Sequence, residues 1–247
     1  MALLSIDSVS KTFVRGSHGF RVLRDVSLDV DAGVLVGIYG PQASGKTTLL
    51  EIAAGLAQPD TGRVFFDGVD LGELSAEKRS RLFRRSIAWV DRHGPRGDGL
   101  SIVEYVSLPI LGHGGPRFKE AQKEAAAALD RLDAGGLAGA RWSVLSDTER
   151  MQVAVAHAIV RRPRLLVVDD PTAGLGVIQR ERVMGHLRQI ADESNIAILC
   201  ACPDQAAVVR AHMIRMLHRG RLIGPPEPPQ HEGRLLQFPG GGEEKTA

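Results

Sequence analysis

Gly40-Pro41-Gln42-Ala43-Ser44-Gly45-Lys46-Thr47 fits the spacing G-x-x-x-x-G-K-[ST] and lies between an uninterrupted apolar run, Val34 to Tyr39, and a segment of helical pattern. Glycines at Gly40 and Gly45 let the main chain turn tightly, so successive N–H groups and the N-terminus of the next helix converge on one point. The anion that suits such a point is a polyphosphate. Lys46 would neutralise its β- and γ-phosphate charge, the Thr47 hydroxyl would ligate Mg²⁺, and Thr48 would complete the cradle. Further along, Leu165-Leu166-Val167-Val168-Asp169 is an apolar run ending in a carboxylate. Beside a phosphate-binding loop, Asp169 reads as the acid that holds the Mg²⁺ shell. The expectation is a nucleoside triphosphate bound with Mg²⁺.

These residues need a frame. Leu3 to Phe13 and Val26 to Val30 alternate apolar and polar side chains, as half-buried strands do. Val34 to Tyr39 has the pattern of a central strand covered on both faces. Thr47 to Leu56 reads as a helix, Pro59-Asp60-Thr61-Gly62 as a turn, and Val64 to Phe66 with Asp67-Gly68 as a strand and tight turn. Ser75 to Arg85 reads as a basic amphipathic helix whose run Arg79, Arg81, Arg84 and Arg85 is a solvated face. Ile87 to Val90 is a short strand, and residues 91–99 are loop by composition. Helical patterns then cover Ile102 to Leu111, Phe118 to Leu132 and Asp147 to Val160, the last ended by Pro163. Leu165 to Val168 is a second covered strand. It is followed by a helix over Val177 to Ala191, a strand over Ile196 to Ala201, and a strand pair around Met213 to Leu217 and Arg221 to Ile223. Strands alternating with helices define an α/β fold with a mainly parallel sheet, into which residues 95–161 bring a helical insertion. One nucleotide-binding domain over residues 1–224 is the expectation. Residues 225–247 are rich in Pro, Gly and Glu, the composition of a disordered tail with one apolar island at Leu235, Leu236 and Phe238.

Composition narrows the class. At 247 residues the chain can bury a substantial core. A formal charge of +2 gives no reason to expect a nucleic-acid partner. Met1 to Val9 is short and carries Asp7, unlike a secretory signal, and runs such as Ile196 to Cys202 are far too short to cross a bilayer. Cys200 and Cys202 fall on one face of a strand and read as small buried side chains in a reducing compartment, which places the protein in the cytoplasm. His93, His113 and His157 lack metal-ligand spacing.

The residues resemble a family, the nucleotide-binding subunits of ABC transporters, over residues 2 to about 224. Val9-Ser10-Lys11-Thr12-Phe13 looks like the segment whose aromatic stacks on adenine, which makes Phe13 the base platform. Thr61-Gly62-Arg63-Val64 to Asp67-Gly68 resembles the hairpin after the first helix. Asp169-Asp170-Pro171-Thr172-Ala173-Gly174-Leu175 resembles the stretch from the metal acid into a loop that crosses the dimer. Leu49 to Val90, with Leu100 to Leu111, is similar to the subgroup serving lipoprotein release, macrolide efflux and cell division. The resemblance implies a P-loop NTPase (RecA-like) core with an N-terminal antiparallel β subdomain. It implies ATP and Mg²⁺ as ligands, and a location on the cytoplasmic face of the membrane against transmembrane ABC subunits. It also implies a head-to-tail pair in which each ATP lies between one subunit's P-loop and the other's signature, usually L-S-G-G-Q or L-S-G-G-E.

Five positions that do chemistry in that scheme depart from it here. Asp170 stands where a Glu should position the attacking water, one methylene short of it. Arg92, or Asp91 by a one-residue slip, stands where a Gln should sense the γ-phosphate, and Arg has no acceptor to ligate Mg²⁺, although it can touch a phosphate. Pro203 replaces the switch His, and Gly176 replaces an Asp after Leu175. The signature reads Leu145-Ser146-Asp147-Thr148-Glu149. Ser146 is the residue that would meet the partner's nucleotide, yet Ser146 with Glu149 is also a capping box opening a helix. An Asp147 carboxylate beside phosphates is repulsive unless it turns away. The expectation is nucleotide binding through Lys46 with turnover, assisted by Asp170, weakened or made dependent on a second ATP-binding subunit, either a different chain or another copy. The alternative is a regulatory or scaffold subunit that holds ATP without hydrolysing it. A nucleic-acid role fits poorly, because proteins of that kind carry two tandem cassettes.

Overall fold

The computed structural model describes residues 2–15, 18–90, 99–111 and 115–224. In chain order the elements are β1 (Leu4–Arg15), β2 (His18–Val30), β3 (Leu35–Tyr39), α1 (Lys46–Ala53), β4 (Thr61–Phe66), β5 (Val69–Asp70), α2 (Ala76–Ser86) and β6 (Ile87–Val90). Then come α3 (Ile102–Ser107), α4 (Phe118–Asp130), α5 (Asp147–Ile159), β7 (Leu165–Asp169), α6 (Val177–Ser194), β8 (Ala197–Cys202), β9 (Met213–His218) and β10 (Arg221–Ile223). The strands form two sheets: an antiparallel one of order β2-β1-β4-β5 and a six-stranded one of order β10-β9-β3-β8-β7-β6. In the larger sheet only β9 and β10 pair antiparallel. The fold is therefore α/β with a parallel-dominated sheet, as the sequence pattern leads one to expect, and an N-terminal antiparallel sheet, as the family resemblance implies. Helices α3 to α5 occupy residues 102–159, and residues 95–98 and 225–247, with Leu235, Leu236 and Phe238, lie outside the described residues.

Period-two geometry divides the core. Side chains alternate across a strand, so Leu166, Val168, Ile198, Cys200 and Cys202 face α5, α6 and the helical segment. Val36, Ile38, Leu165, Val167, Leu199 and Ala201 face α1 and the antiparallel sheet. A strand buried on both faces must be apolar throughout, and β3, β8 and β7 as far as Val168 are. The Cys200 and Cys202 sulfurs are 3.6 Å apart and buried without a disulfide. The hydrogen bond between them, followed by burial, pushes the Cys200 thiol well above its ordinary range, so it stays a protonated, inert core group.

Among the local readings that differ from the sequence expectation, four have a plain physical reason. Strand β2 starts at His18 instead of Val26, because the β1–β2 ladder shifts register three times between Ile6 and Thr12, with Ser8 and Asp25 in left-handed backbone. Bulges of this kind reverse which side chains face inward and erase the alternation. Helix α1 stops at Ala53 rather than Leu56, because Gly55 adopts φ 71° and Leu56 N donates back to Glu51 O. Helix α3 stops at Ser107, and a 3₁₀ turn carries Leu108–Ile110, since Pro109 has no N–H to continue the ladder. In α2, Arg79 is not part of the solvated face. Its stem packs by Gly55, and its Nη1 is buried without a partner among the described residues.

Two contacts fix the larger sheet to its surroundings. The Arg161 guanidinium donates to Arg84 O at 2.7 Å and to Ile87 O, closing the junction of α2 and β6, and burial lowers its pKa from the ordinary value. A 3₁₀ turn at Ala206–Val208 presses on β3, where a Cβ built on Gly37 would stand 2.7 Å from Val208 Cβ. Overpacking at such a point costs about 1–3 kcal/mol, so Gly37→Ala is expected to lower the urea midpoint with the m-value unchanged.

Candidate functional site

Strand β3 delivers the main chain to Gly40, and α1 carries it away after Gly45. Between them the chain is held from two sides. A Cβ on Gly40 would meet Leu217 O of β9 at 2.2 Å. Gly45 has φ 102°, and a Cβ there would meet Val22 O and Cγ1 of β2 at 2.9 Å. Ala43 is also left-handed, φ 61°. The β2 strand is itself joined to the β9–β10 turn, with Arg24 N donating to Gly220 O at 2.7 Å. Alternating left- and right-handed residues turn successive N–H groups inward, the geometry of an anion nest.

Side chains complete the loop. Lys46 Nζ donates to Gly40 O at 2.8 Å and Pro41 O at 3.0 Å, which holds the ammonium at the loop mouth. Thr47 Oγ1 donates to Asp169 Oδ2 at 2.7 Å, so hydroxyl and carboxylate converge from α1 and the end of β7. Ser44 Oγ is buried and meets no partner among the described residues. A glycine-limited nest, an orphaned hydroxyl and a hydroxyl–carboxylate pair together fit a phosphate chain and a hard cation with oxygen ligands.

Gln42, Ala43, Ser44, Gly45, Lys46, Thr47 and Thr48 line one open cavity of about 470 Å³ together with Phe13, Asp169 and Asp170. Gly40 and Pro41 stand behind it and act through their carbonyls on Lys46. Phe20 and Val22 line the same cavity and were not legible in the sequence. Phe13 and Phe20 are direct cross-strand partners, which puts both rings on one face of the hairpin. The signal that points to them is an exposed aromatic pair, 48% and 63% accessible, on a hairpin beside a phosphate loop. Asp170 lies in left-handed backbone, φ 50°, and its N–H donates to Ala201 O at 2.9 Å, which aims the residue into the cavity from between β7 and β8.

Other expected site residues stand elsewhere. Arg92, with Asp91, and also His93 and His113, lie outside the described residues. His157 stacks on Tyr105, centroids 4.3 Å apart. Ser146 does not reach this cavity. It opens α5 as a full capping box: Ser146 N and Oγ donate to Glu149 Oε2 at 2.8 and 2.7 Å, and Glu149 N donates back to Ser146 Oγ. Asp147 turns to Arg150, 3.5 Å away, within the first turn of α5. Pro203 is followed by Asp204, whose Oδ1 accepts from Ala207 N at 2.9 Å.

Fold and site together define a nucleotide-binding cassette. The family described as ABC transporter matches residues 23–173, well over half the chain, and the chain belongs to that family. It is 31% identical over 220 residues to the lipoprotein-releasing system ATP-binding protein LolD of Paramagnetospirillum magneticum, spanning 89% of this chain and 97% of that one. It is also 31% identical over 221 residues to the macrolide export ATP-binding/permease protein MacB of Syntrophobacter fumaroxidans, covering 89% of this chain but 31% of that longer protein. Among solved structures, the dimer of a bacterial ABC transporter cassette superposes with a TM-score of 0.79 at 26% identity, covering 89% of this chain and 96% of that one. The same cassette in a post-hydrolysis state bound to ADP and Pi superposes with equal values.

The capping box gives a pH-dependent prediction. The Ser146 hydroxyl first, and its N–H second, hold the Glu149 carboxyl below its ordinary range. A depressed carboxyl stabilises the fold above its unfolded pKa and loses that contribution as pH falls through the folded value. Glu149→Ala is expected to cost about 0.3–1.5 kcal/mol near neutral pH. The gap from wild type should close as the pH is lowered below the range of an ordinary Glu, as read by urea denaturation across a pH series.

Proposed function

We propose that this chain is the ATP-binding subunit of a membrane ABC transporter complex and binds Mg·ATP in the cavity built by the phosphate loop, Asp169, Asp170 and the Phe13 hairpin. One observation carries the reading: the loop is clamped by main-chain carbonyls at both Gly40 and Gly45 while its one ammonium is held at the mouth. Backbone N–H groups from Gln42 to Thr48 take the phosphates with Lys46, and Phe13 offers its ring to the base. Thr47 and Asp169 are the residues that would hold Mg²⁺, which when bound spreads the phosphate charge and acts as a Lewis acid. Asp170 orients the attacking water from a carboxylate one methylene shorter than the usual Glu, so hydrolysis at this site is slow or depends on a partner.

The partners follow the names of the relatives, a lipoprotein-releasing ATP-binding protein and an ATP-binding/permease protein. Transmembrane subunits supply the path through the bilayer, and the chain sits against them on the cytoplasmic face. Among the described residues no helix is long and apolar enough to cross a membrane. A second cassette closes on the first. A regulatory role, holding ATP as a clamp without turnover, is favoured by one specific observation. Ser146 is committed to Glu149 and Asp147 to Arg150 within the chain, which leaves the signature little to offer a partner's phosphate.

Purified protein titrated with Mg·ATP, alone and in its membrane complex, tests the reading. Lys46→Ala should weaken binding roughly 10- to 100-fold, the worth of hydrogen bonds to a charged group. Asp170→Glu, with Asp147→Gly in the same complex, should raise turnover while leaving affinity near wild type. A wild-type chain that binds neither ATP nor ADP in either setting removes the proposal. Brisk hydrolysis by the isolated chain removes its slow-turnover part. Loss of complex activity in Asp170→Asn would decide against the clamp.

A further inference from the structure

Outside the cavity, one side chain joins two segments that both lead into it. Arg180, in the first turn of α6, donates through Nε to Leu175 O at 2.8 Å and through Nη1 to Asp204 Oδ2 at 3.1 Å. Its own N–H donates to Gly176 O at 3.0 Å, so the residue is fixed on the first turn of the helix. On one side, Leu175 ends the loop that begins at Asp170; Leu175 N donates to Thr172 O, Thr172 is fully buried, and Asp170 N is tied to Ala201 O. On the other side, Asp204 spends its second oxygen on Ala207 N, inside the 3₁₀ turn Ala206–Val208. Val208 is fully buried against Gly37 of β3, two residues before the strand's end and three before Gly40. A continuous set of contacts runs from the crossing loop through one guanidinium to the strand that carries the phosphate loop.

We infer that Arg180 is a positioning residue that couples the conformation of loop 170–176 to the turn at residues 203–208, and through β3 to nucleotide in the phosphate loop. The inference rests on the nucleotide-binding reading of the cavity. The geometry requires arginine in particular. Two separate donors, at Nε and Nη1, must reach a carbonyl and a carboxylate at once, which the planar guanidinium does and a single ammonium does not. Both segments carry an unusual residue at the position nearest this bridge, Gly176 and Pro203. Neither has a side chain that can hydrogen-bond, so among the side chains at that junction Arg180 and Asp204 make the connection. The ion pair is about one-third exposed at Arg180 and half exposed at Asp204, so its value lies in linking two loops rather than in raw stability.

The test is hydrogen exchange on the full-length chain with and without Mg·ADP and Mg·ATP, following peptides over residues 172–180 and 203–211. In the wild type both peptides should slow together when nucleotide binds. In Arg180→Gln, nucleotide affinity should stay within about twofold, because no cavity-lining residue is touched. The nucleotide-dependent slowing over residues 172–180 should fall at least fivefold, the lower end of ordinary coupling. Asp204→Asn, which keeps an oxygen for Ala207 N but removes the charge facing Arg180, should reproduce the loss, and Arg180→Lys should not rescue it. Wild-type binding with undiminished, joint slowing in Arg180→Gln overturns the inference alone. A wild-type chain that binds no nucleotide overturns the function and the inference together.

Discussion

The phosphate loop is gripped between two sheets. Gly40 lies against a carbonyl of β9 in the larger sheet, and Gly45 against a carbonyl of β2 in the antiparallel one. Neither position has room for a Cβ, so the eight-residue loop is shaped by what packs on its ends rather than by its own side chains. The remaining features of the site depend on that grip. Lys46 returns to the carbonyls of Gly40 and Pro41 because the loop is closed, and Thr47 meets Asp169 because α1 starts at a fixed height over β7. The antiparallel sheet is therefore part of the phosphate site as well as the carrier of Phe13. Its β2 strand forms the wall behind Gly45 and is hydrogen-bonded to the β9–β10 turn.

That dependence explains which features the sequence displayed. The phosphate loop was legible because its chemistry resides in the backbone and needs only contiguous residues of fixed type. Strands β3, β7 and β8 were legible because a strand covered on both faces is apolar at every position. Asp169 was legible because it terminates such a strand. Strand β2 was legible only over its last residues: Ser8 and Asp25 sit at bulges that invert the pattern, and with the strand went Phe20 and Val22, two walls of the cavity. The Arg180–Asp204 bridge left no mark, since each residue alone is an ordinary surface charge and they stand 24 positions apart. Ser146 allowed two readings from its type and spacing, and within one chain the geometry gives it to Glu149.

Under the proposed function, the departures at the reacting positions share a physical theme. At each described position a side chain that would reach outward toward a phosphate or a partner is shortened, removed or satisfied locally. Asp170 is short, Gly176 has no side chain and Pro203 has no donor. Ser146 and Asp147 are paired inside the first turn of α5. On the proposed function, the binding half of the site is built to close tolerances, while the half that would act across a dimer is turned inward.

The junction of α2 and β6 holds one more consequence. Arg161 bonds two main-chain carbonyls at the closing end of a helix, and both of its described partners are neutral. Mobile ions weaken attraction between opposite full charges far more than they weaken a partly buried cation held by peptide dipoles. Concentrated salt should therefore loosen surface pairs such as Arg81 with Glu77 while this corner keeps its shape, leaving the edge strand β6 anchored in brine as firmly as in dilute buffer.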